Sequence, residues 1–131
     1  MSLVVADLCV AARLHDVHLT AAAGERVGVI GANGAGKSTL IGAITGDVAA
    51  TGRVLFDDRP LAGRPRLERA RRVACLAQRQ SLAFPLTARE VVALARSPHA
   101  TGRALDADIV AAAASAMDIS SLLGRAYTRL S

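Results

Sequence analysis

The chain has 131 residues, of which 52% are apolar, and its formal net charge is +5. A chain of this length can bury one compact core but not two. No stretch approaches the roughly 18 to 20 uninterrupted apolar residues of a membrane-spanning helix. The N-terminus has no basic residues ahead of an apolar core and so does not resemble a signal peptide, which predicts residence in the cytoplasm.

Two strands are predicted at the start of the chain. The first twenty-odd residues alternate loosely, and residues 3–6 and 17–20 within them look like two strands at a sheet edge. Residues 26–30 are mostly apolar and follow the turn at Gly24, which is typical of a strand buried on both faces.

A glycine-rich motif, Gly-x-x-x-x-Gly-Lys-Ser, follows this third strand. Its glycines let backbone N–H groups point at phosphate oxygens, its lysine reaches the β- and γ-phosphates, and its serine hydroxyl ligates Mg²⁺. Lys37 is the only lysine of the chain and stands at the required position. We therefore predict a phosphate loop made of Gly31, Ala32, Asn33, Gly34, Ala35, Gly36, Lys37, Ser38 and Thr39.

A helix is predicted directly after the motif, over residues 38–45. Leu40, Ile41 and Ile44 would form its apolar face, and Gly46 is placed to be its left-handed C-cap. A helix that begins here aims the positive end of its dipole at bound phosphates. The glycine spacing does not fit Gly-x-Gly-x-x-Gly, which makes a dinucleotide-binding fold unlikely.

A further strand at residues 54–56 ends in two aspartates. An apolar strand that ends in aspartate is also how the Mg²⁺-holding second motif of a P-loop ATPase looks. Pro60 and the paired acids Asp57 and Asp58 are instead typical of a turn, which is the interpretation we favour.

An arginine-rich run occupies residues 64–72. Dense arginine can neutralise nucleic-acid phosphates, but the chain has almost no aromatic residues on which bases could stack. We therefore interpret the run as a solvated basic helix and expect no nucleic-acid partner. Residues 73–77 are predicted to form a buried strand that ends at Gln78.

Two helices are predicted in the last third. Thr87 is placed to cap a helix over residues 88–96, with Glu90 at the capping-box position. Asp106 is placed to open an alanine-rich helix that reaches about Met117. The alternation of strands and helices from residue 26 onward predicts an α/β sheet with a helical insertion.

The cysteines and histidines show no metal-ligand spacing. Cys9 and Cys75 stand alone, which predicts buried, reduced thiols rather than a disulfide or a metal site. His15 and His18 have no third ligand nearby and are interpreted as ordinary polar positions, and His99 is interpreted as a loop residue.

Taken together, these residues resemble the ATP-binding subunit of ABC transporters. The resemblance implies the α/β fold of P-loop NTPases, with an N-terminal antiparallel β subdomain and the start of a helical subdomain. It implies ATP and Mg²⁺ as cofactors, with Lys37 and Gln78 in catalysis and with Ser38 and Gln78 at the metal. The domain would comprise the phosphate loop 31–39, a Q-loop near residue 78 and a partial helical subdomain over about 79–131. The resemblance is carried by Gly24-Glu25, residues 31–40, Gly52-Arg53-Val54 and Gln78.

Residues 81–99 are similar to the corresponding stretch of haem-importing ABC ATPases. The resemblance implies an energy-coupling subunit for import of haem or a related iron chelate, and importers of siderophores or cobalamin stay as an alternative. It also implies three partners: an integral-membrane permease, a second ATPase subunit and, indirectly, a periplasmic or cell-surface binding protein. The chain would then lie peripherally at the inner face of the cell membrane.

The sequence departs from the family pattern in three places. Ala32 stands where proline is usual, and residues 10–13 contain no aromatic to stack on adenine, although Arg13 could cover the base less specifically. Residues 127–131 resemble the lead-in to the family's signature, which predicts a chain truncated before the acidic catalytic motif and with little turnover of its own.

Two other functions stay open at this point. The chain could be a non-catalytic module that docks on a permease or partner ATPase through residues 82–98. A P-loop kinase or nucleic-acid ATPase is the third possibility, and the similarity of residues 78–99 to importer ATPases argues against it.

Overall fold

The computed structural model describes residues 2–76, 85–99 and 101–130. Gln78 and the other residues of the range 77–84 lie outside the described residues. The chain divides into two compact units, Met1–Cys75 and Leu76–Ser131. No helix in the described ranges combines the length and the apolar character that crossing a bilayer requires.

The first unit contains an antiparallel sheet of four strands, β1 (Leu3–Val10), β2 (Leu14–Ala21), β3 (Thr51–Phe56) and β4 (Arg59–Pro60). Their order in the sheet is β2-β1-β3-β4. Val5 lies opposite Leu19 on one side and Val54 on the other. The two predicted N-terminal strands are therefore confirmed, as is an N-terminal antiparallel β subdomain. The prediction that both lie at a sheet edge is wrong for β1, because β3 pairs with its second side.

A two-residue turn joins β3 to β4. Asp57 and Asp58 both have positive φ, 47° and 58°, as a tight hairpin turn of this length requires. The Asp57 carboxylate accepts a hydrogen bond from the Ser2 N–H at 2.7 Å, and the Asp57 N–H donates to the Ser2 carbonyl at 3.0 Å. The interpretation of these two acids as turn residues is confirmed.

One helix, α1 (Lys37–Thr45), packs on this sheet. Leu40 and Ala43 join Leu8 in the core, and Ile44 is partly buried beside them. Ile41 was predicted on the same face, but it is 47% exposed. The reason is geometric, because residues four apart share a helix face whereas Ile41 is turned by about 100° from Leu40.

The C-terminal end of α1 is closed by Gly46, as predicted. Gly46 has φ 79°, and the N–H groups of Asp47 and Val48 both donate to the Gly42 carbonyl, at 2.8 and 2.9 Å. The left-handed residue turns the chain back so that these amides satisfy a helix carbonyl.

Two predicted strands do not form in the described residues. Residues 26–30 have no regular secondary structure, and Ile30 is 94% exposed. Residues 73–76 are likewise irregular, and Cys75 is exposed rather than buried. A strand buried on both faces needs hydrogen-bonded neighbours and a layer on each face. Within the described ranges neither segment pairs with a strand, so the predicted parallel sheet is not observed there.

The arginine-rich run forms a short helix, α2 (Arg66–Ala70), which begins after Pro65. None of its five residues is fully buried. The prediction of a solvated basic helix is confirmed for these positions.

The second unit contains α3 (Ala88–Leu94) and α4 (Arg103–Ala116). The Thr87 hydroxyl accepts from the Glu90 N–H, and the Glu90 carboxylate accepts from the Thr87 N–H at 2.7 Å, so the predicted capping box is confirmed. The hydrogen bond from the Thr87 N–H, and after it the one that the Thr87 hydroxyl donates to the same carboxylate at 2.7 Å, lower the pKa of Glu90. Gly102 is the N-cap of α4, so the prediction that Asp106 opens this helix is wrong by one turn.

A hydrogen-bonded ion pair joins the end of α3 to the first turn of α4. The Arg96 Nε donates to the Asp106 carboxylate at 2.8 Å, and the Thr101 hydroxyl donates to the same carboxylate at 2.6 Å. The Thr101 hydrogen bond, and after it the Arg96 guanidinium, lower the pKa of Asp106. Both pair members are largely shielded, with side chains 18% and 25% exposed.

Leu8→Ala should lower the free energy of unfolding by about 2 to 5 kcal/mol, because it leaves a cavity in the core of the first unit. Ile30→Ala should change it by no more than about 0.5 kcal/mol, because that side chain is already in solvent. Urea unfolding followed by circular dichroism measures both. A loss at Ile30 as large as that at Leu8 would mean that residues 26–30 are packed as a strand after all.

Asp106→Asn should reduce the acid sensitivity of the chain. Because the folded-state pKa of Asp106 is lowered, its contribution is complete above the unfolded-state value of 3.8 and is lost as the pH falls through the folded-state pKa. From about pH 5 to about pH 3, the wild-type melting temperature should therefore fall more steeply than that of the variant. Asp108→Asn, on the exposed side of the same helix, is the control. Equal slopes for wild type and Asp106→Asn would contradict the prediction.

Candidate phosphate-binding site

The predicted phosphate loop connects residues 26–30, which have no regular secondary structure, to the start of α1. Gly34 and Gly36 have positive φ, 83° and 90°, which glycine adopts at little cost. Gly36 also lies against the first residue of β2, since a Cβ at position 36 would be 2.8 Å from Leu14 Cδ2. Glycine is therefore required at position 36 by backbone conformation and by close packing together.

Lys37 is the first residue of α1, and its side chain turns back into the loop. Its Nζ donates to the carbonyls of Gly31 and Ala32, each at 2.8 Å. These two bonds tie the ammonium group to the backbone at the start of the loop. The only lysine of the chain is thus held inside the loop that the sequence assigned to it.

Backbone N–H groups at the start of α1 are available to an anion. The first bond of the helix runs from the Leu40 N–H to the Gly36 carbonyl at 2.8 Å, so the amides of residues 37–39 have no acceptor within the helix. The positive end of the α1 dipole lies at the same place. Amides, dipole and ammonium group together can hold the oxygens of a phosphate.

The two hydroxyl residues of the motif differ in exposure. Ser38 is exposed in the first turn of α1, and Thr39 is buried against the core side. An exposed serine hydroxyl at this place is an oxygen ligand of the kind that Mg²⁺ accepts. Gln78, the other predicted metal ligand, lies outside the described residues.

The turn between β1 and β2 lies beside the loop. A Cβ on Gly36 would be 3.4 Å from the carbonyl oxygen of Arg13, the residue considered above for adenine. The Arg13 side chain is exposed. The structure therefore brings the backbone of position 13 next to the phosphate loop. The packing partner Leu14 was not identified from the sequence, where no pattern links it to Gly36.

A second polar cluster lies on the sheet. His18 Nε2 is 2.9 Å from an oxygen of Asp16 and 3.7 Å from one of Asp7. The Arg53 guanidinium is 3.4 Å from the other oxygen of Asp7. Sequence reasoning paired neither carboxylate with His18, although Asp16 is only two residues away on the same strand; Asp7 belongs to a different strand. Asp7, Asp16 and His18 are all exposed, and the Arg53 guanidinium partly balances the charge of Asp7.

Comparison with known proteins gives a consistent set of relatives. The chain is 52% identical over 109 residues to a hemin import ATP-binding protein HmuV of Pseudomonas fluorescens, covering 82% of this chain and 43% of the relative. It is 49% identical over 119 residues to the protein of the same name from Pseudomonas putida, covering 90% of this chain and 47% of the relative. The protein of that name from Nocardia farcinica is 48% identical over 121 residues, covering 90% of this chain and 42% of the relative.

The chain thus spans a little under half the length of these relatives. The model of the ABC transporter family matches residues 14–131, which include the phosphate loop, α1 and the whole second unit. The match supports the fold class expected from the sequence, and the chain belongs to the ABC transporter family.

Proposed function

We propose that this chain binds Mg-ATP through its phosphate loop and is the nucleotide-binding part of an ABC importer. The observation that carries the proposal is the arrangement at the start of α1, where the Lys37 ammonium group turns back into the loop and the amides of residues 37–39 have no acceptor within the helix. A cation and several free N–H donors at a helix N-terminus favour a polyphosphate over a neutral ligand.

We assign the roles within the loop as follows. Gly31 to Thr39 would cradle the phosphates, mainly through backbone N–H groups. Lys37 would exchange one or both loop carbonyls for the β- and γ-phosphate oxygens and neutralise charge that develops there. Ser38 and Gln78 would hold Mg²⁺, which when bound shields phosphate charge. Gln78 would be the glutamine of a Q-loop near residue 78. This loop would lie in the sequence between the part of the chain that contains the phosphate loop and a helical subdomain over about 79–131.

The cargo is proposed from the relatives' names, and the partners are proposed from the resemblance to ABC importers. Hemin import ATP-binding proteins from three species match 82 to 90% of this chain, which supports haem or a related iron chelate as cargo. The partners proposed are a membrane permease and a second ATPase subunit, with a periplasmic or cell-surface binding protein acting indirectly. Such a subunit would act peripherally at the inner face of the cell membrane. Import of siderophores or cobalamin is the alternative within the same class.

Calorimetric titration with Mg-ATP tests nucleotide binding. Saturable binding is expected for the wild type, and Lys37→Ala should weaken it by about tenfold or more, because a charge-assisted hydrogen bond is worth about 1.5 to 3 kcal/mol. Arg59→Ala, which removes one exposed positive charge on β4, is the control for net charge and should bind as the wild type does. No binding by a wild-type chain that circular dichroism shows to be folded would favour the docking-module alternative.

Phosphate release at steady state tests turnover. We propose that the 131-residue chain has little or no ATPase activity alone, because the family motifs that follow the signature are not among its residues. Turnover clearly above background, abolished by Lys37→Ala, would contradict this proposal. If the chain copurifies with a permease and Lys37→Ala does not reduce this copurification, docking does not depend on the phosphate loop.

A further inference from the structure

The C-terminal end of α1 is contacted by an arginine from α2. Arg69 Nη1 donates to the carbonyl of Gly46, the C-cap of α1, at 3.0 Å. The partners are 23 residues apart in sequence, so the bond ties two separate elements of the first unit together.

The arginine and the glycine fit one another closely. A Cβ at position 46 would overlap Arg69 Nη1 and lie 3.0 Å from Arg69 Cζ. Gly46 is therefore needed for the approach of the guanidinium as well as for its own φ of 79°. Glycine is common at this helix position for conformational reasons alone, but the space that it leaves here is filled by Arg69.

Electrostatics favours the same placement. The last carbonyls of a helix carry partial negative charge, and a guanidinium beside them is stabilising. Arg69 Nε is buried, and within the described part of the chain it has no hydrogen-bond partner. A buried unpaired N–H is costly, and the hydrogen bond from Arg69 Nη1 to the Gly46 carbonyl acts against this cost. None of the five residues of α2 is fully buried, so the other four residues contribute no fully buried side chain to hold this helix in place.

Arg69 also fills space around the end of α1. It lines two cavities of about 200 and about 210 Å³, the first together with Ile44 and Val48 and the second together with Thr45 and Asp47. Removing its side chain would enlarge both cavities at the end of a helix that has only nine residues. The backbone bonds of the Gly46 cap would remain, but no side chain from α2 would then support this end of the helix.

We propose that Arg69 is a positioning residue for the phosphate loop. It fixes the C-terminal end of α1, and because Lys37 and the loop amides are at the other end of this short helix, it fixes their direction as well. The consequence for nucleotide rests on the proposed function above, whereas the consequence for α1 itself does not.

The first test is hydrogen exchange of the full chain without nucleotide. Arg69→Ala should speed exchange of the amides of residues 46–48 and of Leu40 by about fivefold to tenfold, because the helix loses the restraint at its end. Arg66→Ala is the matched control, since it removes the same charge from an exposed position of the same helix. Arg66 also lines the second cavity, but among the described residues its side chain makes no observed hydrogen bond to α1, so Arg66→Ala should leave these rates unchanged. Arg69→Lys keeps a donor and a charge, and its rates should lie between those of the wild type and Arg69→Ala.

The second test is Mg-ATP titration of the same variants. Arg69→Ala should raise Kd about threefold to tenfold, with Arg69→Lys closer to the wild type and Arg66→Ala unchanged. The inference would be overturned if the Leu40 amide exchanged at the same rate in Arg69→Ala and in Arg66→Ala. It would also be overturned if Arg69→Ala exchanged faster but bound Mg-ATP with an unchanged Kd. If the wild type binds no Mg-ATP, the proposed function fails, and exchange at Leu40 still decides whether Arg69 positions α1. If Arg69→Ala does not fold, Arg69→Lys takes its place. Exchange of the Leu40 amide that is no faster in Arg69→Lys than in Arg66→Ala would then overturn the inference about Arg69.

Discussion

The hydrogen bonding of β1 on both of its sides is the constraint on which the first unit depends. β2 follows it in sequence and pairs on one side, and β3 returns from beyond the phosphate loop to pair on the other. Leu8 and Val5 are the largest fully buried side chains of this sheet. Because the loop and α1 lie in the sequence between β2 and β3, the pairing of β1 with both strands limits where the loop can lie. The phosphate site is thus positioned by an antiparallel sheet that contributes none of its predicted ligands.

Local interactions made much of this structure predictable. The capping box of Thr87 and Glu90 joins residues three apart, and the turn at Asp57 and Asp58 depends on the conformations that two adjacent residues can adopt. The phosphate loop is recognisable because its chemistry requires glycine, lysine and serine at fixed spacing. In each case the interacting residues are close in sequence, so a single sequence contains the necessary information.

The two predicted strands that failed, at residues 26–30 and 73–77, depend on partners distant in sequence. Residues 26–30 have the composition of a buried strand, but composition does not say whether neighbouring strands are there to pair with it. The bond of Arg69 to Gly46 and the cluster of His18 with Asp7 likewise join separate elements, and nothing in the sequence indicates them. Ile41 is a different case, because its apolar character suggested the core while the helical rotation turns it to solvent.

The exposed segment 26–30 has a consequence for how long the chain would survive in a cell. An accessible stretch without regular secondary structure is a preferred site of proteolytic cleavage. Cleavage there would separate the β1–β2 hairpin from the phosphate loop, and Leu14, against which Gly36 packs, would then be on a different fragment. The lifetime of the site would depend on protection of this stretch, so a partner that covers it would raise the abundance of the protein without altering its chemistry.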